Sequence, residues 1–168
     1  MSEATSALAG QSYHGFATVA EDGLQGMITL RGDLAHPSVA AALKAAVGSP
    51  VPDRRRILQQ DGRGVGWMSP DELLILVPYA EAAKTVAMLE QALAGLHALV
   101  ADVSDARAVF TISGPHATEV LMKLCPVDFA GLAQDELRRT RVAQVAAAIW
   151  RTGPETYMLV SFRSVAGY

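Results

Sequence analysis

Thr29-Leu30-Arg31-Gly32, followed by an apolar helix pattern that starts at Pro37, recurs as Thr111-Ile112-Ser113-Gly114, followed by a helix pattern that starts at Pro115. A second segment recurs as well: Trp, Pro-Asp-Glu and an apolar run in residues 67–76 match Trp, Gly-Pro-Glu and an apolar run in residues 150–160. The copies are offset by roughly 82 residues at the glycines and roughly 84 at the prolines, which is the behaviour of a duplicated unit. Since this period is too long for a solenoid, we expect a domain built from two related halves.

Length and composition are those of a compact globular protein. The chain has 168 residues, of which 51% are hydrophobic and 18% charged, so it can bury one full core. The net charge of −3 gives no reason to expect nucleic acid as a partner. The basic run Arg54-Arg55-Arg56 is short and has no interleaved aromatics, which favours a solvated loop or a partner-facing ion cluster over a phosphate-binding patch.

The single cysteine, Cys125, excludes an internal disulfide and a thiolate metal cluster. It ends an apolar helix pattern, so we interpret it as a small buried hydrophobe rather than a nucleophile. No apolar run approaches the roughly 18 residues of a membrane span, and the N-terminus lacks the pattern of a signal peptide. We therefore expect a cytoplasmic protein that does not bind membranes.

The pattern of elements predicts an α+β fold with a mixed antiparallel sheet and helices on one face. Residues 1–12 are expected to be a flexible tail, and residues 13–168 a single domain with halves at about 25–97 and 98–168. The first half is predicted to contain a strand at 27–30, a helix from Pro37 to Gly48, a loop over 48–64, a hairpin of strands 65–68 and 73–77, and a helix over 81–93. The second half is predicted to contain strands at 98–103 and 108–112, a helix from Pro115, and a hairpin of strands 142–150 and 157–162.

The two halves differ at their ends. In the first half the hairpin leads directly into the helix at residues 81–93, whereas in the second half the equivalent helix would start after Phe162 and the chain stops at Tyr168. We expect that the second half is truncated or that this helix is lost or replaced. An exposed apolar groove is predicted there unless a partner or another part of the chain fills it.

No pattern of reactive side chains supports an active site. The glycine-rich run at residues 61–66 fits no phosphate-binding motif and leads into a strand, so we interpret it as a flexible loop. The four histidines, His14, His36, His97 and His116, lack metal-ligand spacing. His36 and His116 lie beside the two helix-starting prolines, where a role at the helix start explains both. We assign no catalytic, cofactor-binding or metal residue.

Asp102, Ser104 and Asp105 form the most polar segment in an apolar region. These side chains can all bond nearby backbone donors at a turn, which is the structural interpretation that we favour. The functional alternative is that one of these carboxylates orients a ligand.

The run from Val100 to Ala117 resembles the D-x-S…V-x-G-x-x-A signature of the aminomethyltransferase (glycine cleavage T protein) superfamily. Together with the W-x-x-P-D-E-x-L motif at residues 67–74 and the segment at 150–162, it resembles more specifically the gamma subunit of heterotetrameric sarcosine oxidase. These features span most of residues 25–163. Chains of that family also tend to end in an aromatic-rich segment, and this sequence stops near the position where that segment is expected.

The resemblance implies a folate-binding-domain-like fold made of two ferredoxin-like (split βαβ) halves. It implies an accessory subunit without catalytic residues, in a complex that oxidatively demethylates sarcosine to glycine and passes the one-carbon unit to tetrahydrofolate. The partners would be the alpha, beta and delta subunits, and FAD, FMN, NAD and tetrahydrofolate would be bound by those partners. As residues that contact the partners we name Arg54, Arg55, Arg56, Phe162 and Tyr168.

Two alternatives remain open at this point. One is a stand-alone folate-binding aminomethyltransferase-like protein, although enzymes of that kind are about twice as long and the chain shows no evident acid/base constellation. The other is a small α+β ligand-sensing or dimerisation module, which the duplication allows.

Overall fold

The computed structural model describes residues 3–168, so residues 1 and 2 of the predicted tail lie outside the described part of the chain. Contacts divide the chain into two compact units. The central unit comprises Gln25–Ser104, and the C-terminal unit comprises the described residues up to Leu24 together with Asp105–Tyr168.

The elements follow one another as strands, three α-helices and short 3-10 turns within residues 3–168. In chain order they are β1 (Ser12–His14), β2 (Thr18–Glu21), β3 (Gln25–Arg31), α1 (Pro37–Val47), β4 (Ile57–Gln60), β5 (Arg63–Ser69), β6 (Glu72–Pro78), a 3-10 turn (Tyr79–Glu81), α2 (Ala82–Ala92), β7 (Leu99–Asp102), a 3-10 turn (Ser104–Ala106), β8 (Arg107–Ser113), α3 (Ala117–Leu124), β9 (Leu137–Val142), β10 (Val145–Gly153), β11 (Thr156–Phe162) and a 3-10 turn (Arg163–Val165).

The central unit is a five-stranded sheet in the order β4-β5-β6-β3-β7, with α1 and α2 packed together. Its core joins alternate residues of the strands to the apolar stripes of both helices. Residues of this core include Ile28, Leu30, Leu43, Ile75 and Leu89, all of them fully buried.

Helix α1 begins and ends where its sequence predicts. Pro37 occupies the first turn, and the Nδ1 atom of His36 accepts a hydrogen bond from the Ser38 amide at 3.2 Å. At the other end Gly48 has a φ of 80° and its amide donates to the Lys44 carbonyl. A left-handed residue at this position favours glycine, which explains why the helix stops there.

The predicted loop over residues 48–64 contains strand β4, which the sequence analysis missed. Strand β4 forms a hairpin with β5, in which Gln60 pairs with Arg63. The two residues between them, Asp61 and Gly62, have φ values of 52° and 75°. Two left-handed residues in a two-residue loop form a turn that suits an antiparallel hairpin. The glycine-rich run is therefore a hairpin turn and the start of β5, and the prediction of a flexible loop was wrong.

The C-terminal unit is a six-stranded sheet in the order β1-β2-β8-β11-β10-β9, with α3 packed on its core. The hairpin β10–β11 and strand β8 are where the sequence predicts them. Strands β1, β2 and β9 were not predicted. The N-terminal segment also makes contacts in this unit, because Ala7 and Leu8 pack against its core.

The two sheets share one strand order, which confirms the duplicated ferredoxin-like architecture. The order β4-β5-β6-β3-β7 corresponds to β9-β10-β11-β8-β2. Strand β7 pairs with β3 at one edge of the first copy, and β2 pairs with β8 at the matching edge of the second. The N-terminal segment thus supplies the strand of the second copy that corresponds to β7.

The boundary between the halves differs from the expected one at 97/98. Residues 99–102 form β7, which pairs with β3 inside the central unit, so contacts divide the chain after Ser104. Strand β7 completes the first copy instead of opening the second.

Every pair of neighbouring strands described between residues 3 and 168 is antiparallel. The helix crossover from β3 to the β4–β5 hairpin does join parallel strands, since β3 and β5 are both antiparallel to β6. Because β6 lies between them, the parallel strands are not neighbours. The predicted mixed antiparallel sheet therefore contains parallel strands, but an antiparallel strand always lies between them.

None of the helices formed by residues 3–168 has the length and apolar character needed to cross a membrane.

Candidate partner-binding surface

Within residues 3–168, helix α2 follows the hairpin of the first copy, and no α-helix follows the hairpin of the second copy. In the central unit, α2 contacts α1, strands β3 and β7, and the 3-10 turn Tyr79–Glu81. In the C-terminal unit the chain leaves β11 through the 3-10 turn Arg163–Val165 and reaches Tyr168 without an α-helix. Among the described residues, therefore, no helix fills in the second copy the position that α2 fills in the first.

An apolar groove of about 680 Å³ lies at this position in the C-terminal unit. Part of its lining comes from the counterparts of the elements that α2 contacts: α3 for α1, β8 for β3, β2 for β7, and the last 3-10 turn for the one before α2. Residues that represent these elements are Leu121 and Leu124, Phe110 and Ile112, Val19, and Val165. The structure thus contains the groove that the unequal ends of the two halves predict.

Large apolar side chains line the groove and remain open to solvent. Tyr13 is 69% exposed, Leu124 is 42% exposed and Tyr168 is 82% exposed, and all three line the groove. Exposed aromatic and leucine side chains gathered around one concavity are typical of a protein-binding surface.

Another exposed aromatic, Phe16, lies against the start of α3. Its ring stacks on the His116 ring with centroids 4.0 Å apart, and the Nζ atom of Lys123 lies 5.7 Å from the Phe16 centroid. His116 makes no capping hydrogen bond with its side chain, unlike His36. Both histidines are therefore at the N-cap position of their helices, as predicted, but the His116 side chain stacks on Phe16 and makes no capping hydrogen bond.

The five residues predicted to contact partners lie in different units. Arg54 and Arg55 are exposed, Arg56 is half-buried, and all three precede β4 in the central unit. Phe162 and Tyr168 are exposed residues of the C-terminal unit. Tyr168 lines the groove and Phe162 is not part of its lining. That these residues contact a partner stays a prediction.

The polar segment at residues 102–105 stabilises the backbone. The Oδ1 atom of Asp102 accepts hydrogen bonds from the Ser104 amide at 2.9 Å and from its hydroxyl at 2.5 Å. The buried Ser104 Oγ in turn accepts a hydrogen bond from the Met27 amide at 2.9 Å. These bonds tie the end of β7 to β3, as the structural interpretation predicts.

Glu21 at the end of β2 holds the N-terminal segment. Its Oε2 atom accepts hydrogen bonds from the Gly10 amide at 2.6 Å and the Ser6 hydroxyl at 2.8 Å. Burial by itself raises the pKa of this carboxyl, but the hydrogen bonds outweigh burial and lower the pKa of Glu21 below its ordinary value. The carboxylate therefore stays charged and clamps the segment that precedes β1.

The cysteine and the other side chains able to ligate metals are dispersed in the part of the chain that the structure describes. Cys125 is buried, and burial raises the pKa of its thiol to about 11, so the nucleophilic thiolate is scarce at neutral pH. Among residues 3–168, no three His, Cys, Asp or Glu side chains come together in a way that could hold a metal ion.

Sequence reasoning missed the contribution of the N-terminal segment to this surface. Four residues of this segment have roles in the structure that the sequence did not predict: Tyr13, Phe16, Val19 and Glu21. Of these, Tyr13 and Val19 line the groove. Residues 18–21 show no alternation of polar and apolar side chains, and their partner in the sheet is β8, about 90 residues away, in the pairing Thr18 with Ser113. Such non-local pairing leaves no trace in local pattern.

Comparison with known proteins gives the family. The family model described as sarcosine oxidase, gamma subunit family, matches residues 31–168. The gamma subunit of sarcosine oxidase from Corynebacterium sp. (strain P-1) is 34% identical over 124 residues, which cover 71% of this chain and 60% of the relative. The gamma subunit from an Arthrobacter species is 35% identical with the same coverage. The chain thus spans about 60% of the length of these relatives.

Solved structures show the same fold. A chain of heterotetrameric sarcosine oxidase from Corynebacterium sp. U-96 is similar with a TM-score of 0.80 and 27% identity, covering 93% of this chain and 82% of that one. The glycine cleavage system aminomethyltransferase T from Bartonella henselae shares the fold with a TM-score of 0.62 at 16% identity, covering 88% of this chain and 42% of that one. A duplicated ferredoxin-like fold, the sequence motifs and the family match agree, and the chain belongs to the sarcosine oxidase gamma subunit family.

Proposed function

We propose that this chain is the non-catalytic gamma subunit of a heterotetrameric sarcosine oxidase. The complex oxidatively demethylates sarcosine to glycine and transfers the one-carbon unit to tetrahydrofolate. The observation that carries the proposal is the family match over residues 31–168, joined to the likeness to a chain of a heterotetrameric sarcosine oxidase over 93% of this chain.

The partners are the alpha, beta and delta subunits, and FAD, FMN, NAD and tetrahydrofolate are bound by those subunits in the cytoplasm. The engagement of the reactive side chains supports an accessory role. Asp102 and Ser104 are bonded to each other and to the backbone, and Cys125 is a buried thiol with a raised pKa. These groups stabilise the fold, and the catalytic residues for the demethylation of sarcosine belong to the partner subunits.

Titration of the isolated chain with tetrahydrofolate tests the accessory role. Binding in the millimolar range or weaker, about −4 kcal/mol or less in magnitude, is the expected result by calorimetry. A micromolar dissociation constant would support instead a stand-alone folate-binding protein. The aminomethyltransferase fold alone does not decide this, because the chain covers only 42% of that enzyme.

Co-expression with the alpha, beta and delta subunits tests the assembly. The expected result on size-exclusion chromatography is that the chain elutes with the large subunits in one peak. Elution of the chain by itself, with the other three subunits together in a separate peak, would remove the assignment as a subunit.

A further inference from the structure

We propose that the face of the C-terminal sheet that carries Phe162 binds an acidic segment of another subunit. The surface consists of Arg141, Ala146, Phe162 and Arg107, on the neighbouring strands β9, β10, β11 and β8, and we call it the Phe162 row. The inference rests on the proposed function, since it assigns a surface and a chemistry to the contact with a partner.

Strand pairing places these four residues side by side. Phe162 pairs with Arg107, and Arg141 pairs with Ala146. The register of β10 and β11, continued by one position, sets Ala146 beside Phe162. Side chains directly opposite each other on neighbouring strands have Cβ atoms about 5 Å apart. The Phe162 ring therefore has one arginine next to it and a second arginine beyond a single alanine.

The row lies on the face of the sheet away from α3. Ala108 of β8 and Ala147 of β10 belong to the core on which α3 packs. Successive side chains of a strand point to opposite faces, so Arg107 and Ala146 point away from that core. The apolar groove is lined by residues of α3 and lies on the other face, which explains why Phe162 is not part of its lining.

The row is open to solvent and uneven in height. Phe162 is 53% exposed, Arg141 and Ala146 are exposed, and Arg107 is half-buried. Phe162 and Arg141 are two strands apart, or about 10 Å, and the short side chain of Ala146 leaves a dip between them. This dip admits a side chain of a partner. Aromatic residues and arginine are also enriched in protein interfaces.

The charge of these strands indicates the chemistry of the partner. Strands β8, β9, β10 and β11 carry five arginines and no aspartate or glutamate, although the chain as a whole has a net charge of −3. Three of the five point to the face of the row: Arg107, Arg139 and Arg141. A partner segment that carries acidic side chains is complementary to this face.

The excess of positive charge is concentrated on β9. Arg139 and Arg141 are exposed there, and within residues 3–168 no carboxylate forms an ion pair with Arg141. Glu136, which precedes β9, pairs with Arg138, whose side chain points to the opposite face. We therefore expect the acidic side chains of the partner to lie at the β9 end of the row and its apolar side chains to lie against Phe162.

The same pattern argues against two other occupants. A second copy of this chain, bound symmetrically through the row, would present the same arginines, and like charges brought together at an interface select against that partner. A nucleic acid is bound by an extended basic surface, whereas this chain is acidic overall and the row contains one aromatic residue. An acidic protein segment fits the row better than either.

Photo-crosslinking in the assembled complex tests the occupant directly. A benzophenone amino acid replaces Phe162, which keeps an aromatic side chain at this position. The expected product joins position 162 to a segment of another subunit in which Asp and Glu outnumber Lys and Arg. Crosslinks to a basic segment, to another part of this chain, to a second copy of it or to nucleic acid would overturn the proposal, and so would the absence of a crosslinked product from an assembled complex.

A matched pair of charge reversals measures the contribution of the row to assembly. Arg141→Glu reverses a charge in the row, and Lys84→Glu reverses an exposed charge on α2. In low salt Arg141→Glu is expected to weaken binding to the other subunits roughly tenfold or more, and Lys84→Glu less than about threefold. The effect of Arg141→Glu should shrink at an ionic strength of about 0.5 M, because salt screens exposed charges.

Thermal unfolding checks that both variants fold. If Arg141→Glu does not fold, Arg141→Gln replaces it, since this change removes the charge without adding a carboxylate, and it is expected to weaken binding about threefold. Equal binding by folded variants of the row and of α2 would overturn the proposal. Replacement of the crosslinked acidic residue of the partner by lysine should restore part of the binding of Arg141→Glu, and no restoration would overturn it as well.

The two proposals fail in different ways. If the unmodified chain elutes apart from the other subunits, the proposed function fails and the docking proposal fails with it. If the unmodified chain assembles but Arg141→Glu binds as well as Lys84→Glu does, only the docking proposal fails.

Discussion

The side chain of Ser104 joins the end of β7 to β3 through hydrogen bonds. It is buried, accepts from the Met27 amide and donates to Asp102. Ser104→Ala leaves the Met27 amide and the Asp102 carboxylate short of a partner, so we expect the free energy of unfolding to fall by about 1 to 3 kcal/mol. Urea denaturation measures this loss. Ser164→Ala, at an exposed serine, is the control and should change stability by less than about 0.5 kcal/mol. A negligible loss for Ser104→Ala would show that these bonds contribute little.

Glu21 makes the stability of the chain depend on pH in a defined direction. Folding lowers the pKa of Glu21 below its ordinary value of 4.5. The contribution of Glu21 to the free energy of unfolding is therefore complete above about pH 4.5, and it is lost as the pH falls through the folded-state pKa. Glu21→Gln should therefore lower the free energy of unfolding at pH 7 by about 1 kcal/mol or more. The difference from the unmodified chain should shrink in denaturation curves recorded below about pH 4. A difference that stays constant from pH 7 to pH 3 would contradict the assignment of a charged clamp.

Cys125 should be unreactive until the chain unfolds. Burial and a thiol pKa of about 11 leave little accessible thiolate at pH 8. Reaction with Ellman's reagent is expected to be at least about a hundredfold slower in buffer than in 6 M guanidinium chloride. Rapid labelling of the native chain would mean that the thiol is exposed, and would reopen a reactive role for it.

At the scale of residues, the sequence predicts roles that depend on near neighbours. The bonds of Asp102 and Ser104 and the capping by His36 are of this kind, since each joins residues within two positions of one another. The stacking of His116 on Phe16 could not be predicted, because these residues are 100 positions apart and meet only through the fold.

Strand β2 is the element on which the second copy of the fold depends. It covers one edge of β8, with Val19 opposite Ile112 and Ala20 opposite Thr111. Removal of residues 1–22 would leave an apolar strand with an open edge, which favours unfolding and aggregation. In a Trp67→Phe background Trp150 alone reports on the C-terminal unit, where it is fully buried. We expect its emission to shift to the red in the truncated chain and to stay blue in the full-length chain. Blue emission from a soluble truncated chain would show that β2 is dispensable.

The sequence predicts the helices and strands in which the pattern of apolar residues is continuous. Strands β3, β6, β8 and β11 and all three helices are of this kind. Strands β4 and β9 lie at sheet edges, and their exposed polar residues, such as Gln59 in β4 and Arg139 and Arg141 in β9, dilute the alternation of apolar residues. The Asp61-Gly62 turn was a usable signal for β4, because this dipeptide is typical of a two-residue hairpin loop.

Within residues 3–168 the structure is a duplication, in which a helix follows the hairpin of the first copy and no helix follows the hairpin of the second. The repeated motifs predict the two copies and the groove, since both follow from comparing one half with the other. They do not predict that β2 replaces β7, because β2 precedes the repeat and has no counterpart in it. The groove on the second copy is lined by apolar side chains, and exposed apolar patches of this kind are typical of protein-binding surfaces.

Native mass spectrometry of the complex co-expressed with the alpha, beta and delta subunits is the most direct test of assembly. We expect a single species that contains one copy of this chain and one of each other subunit. In the same experiment Leu124→Arg, in the lining of the groove, should reduce the assembled fraction, and Met122→Arg, at an exposed position outside the groove, should not. An assembly of the other three subunits without this chain, in the presence of an excess of it, would contradict the proposed function.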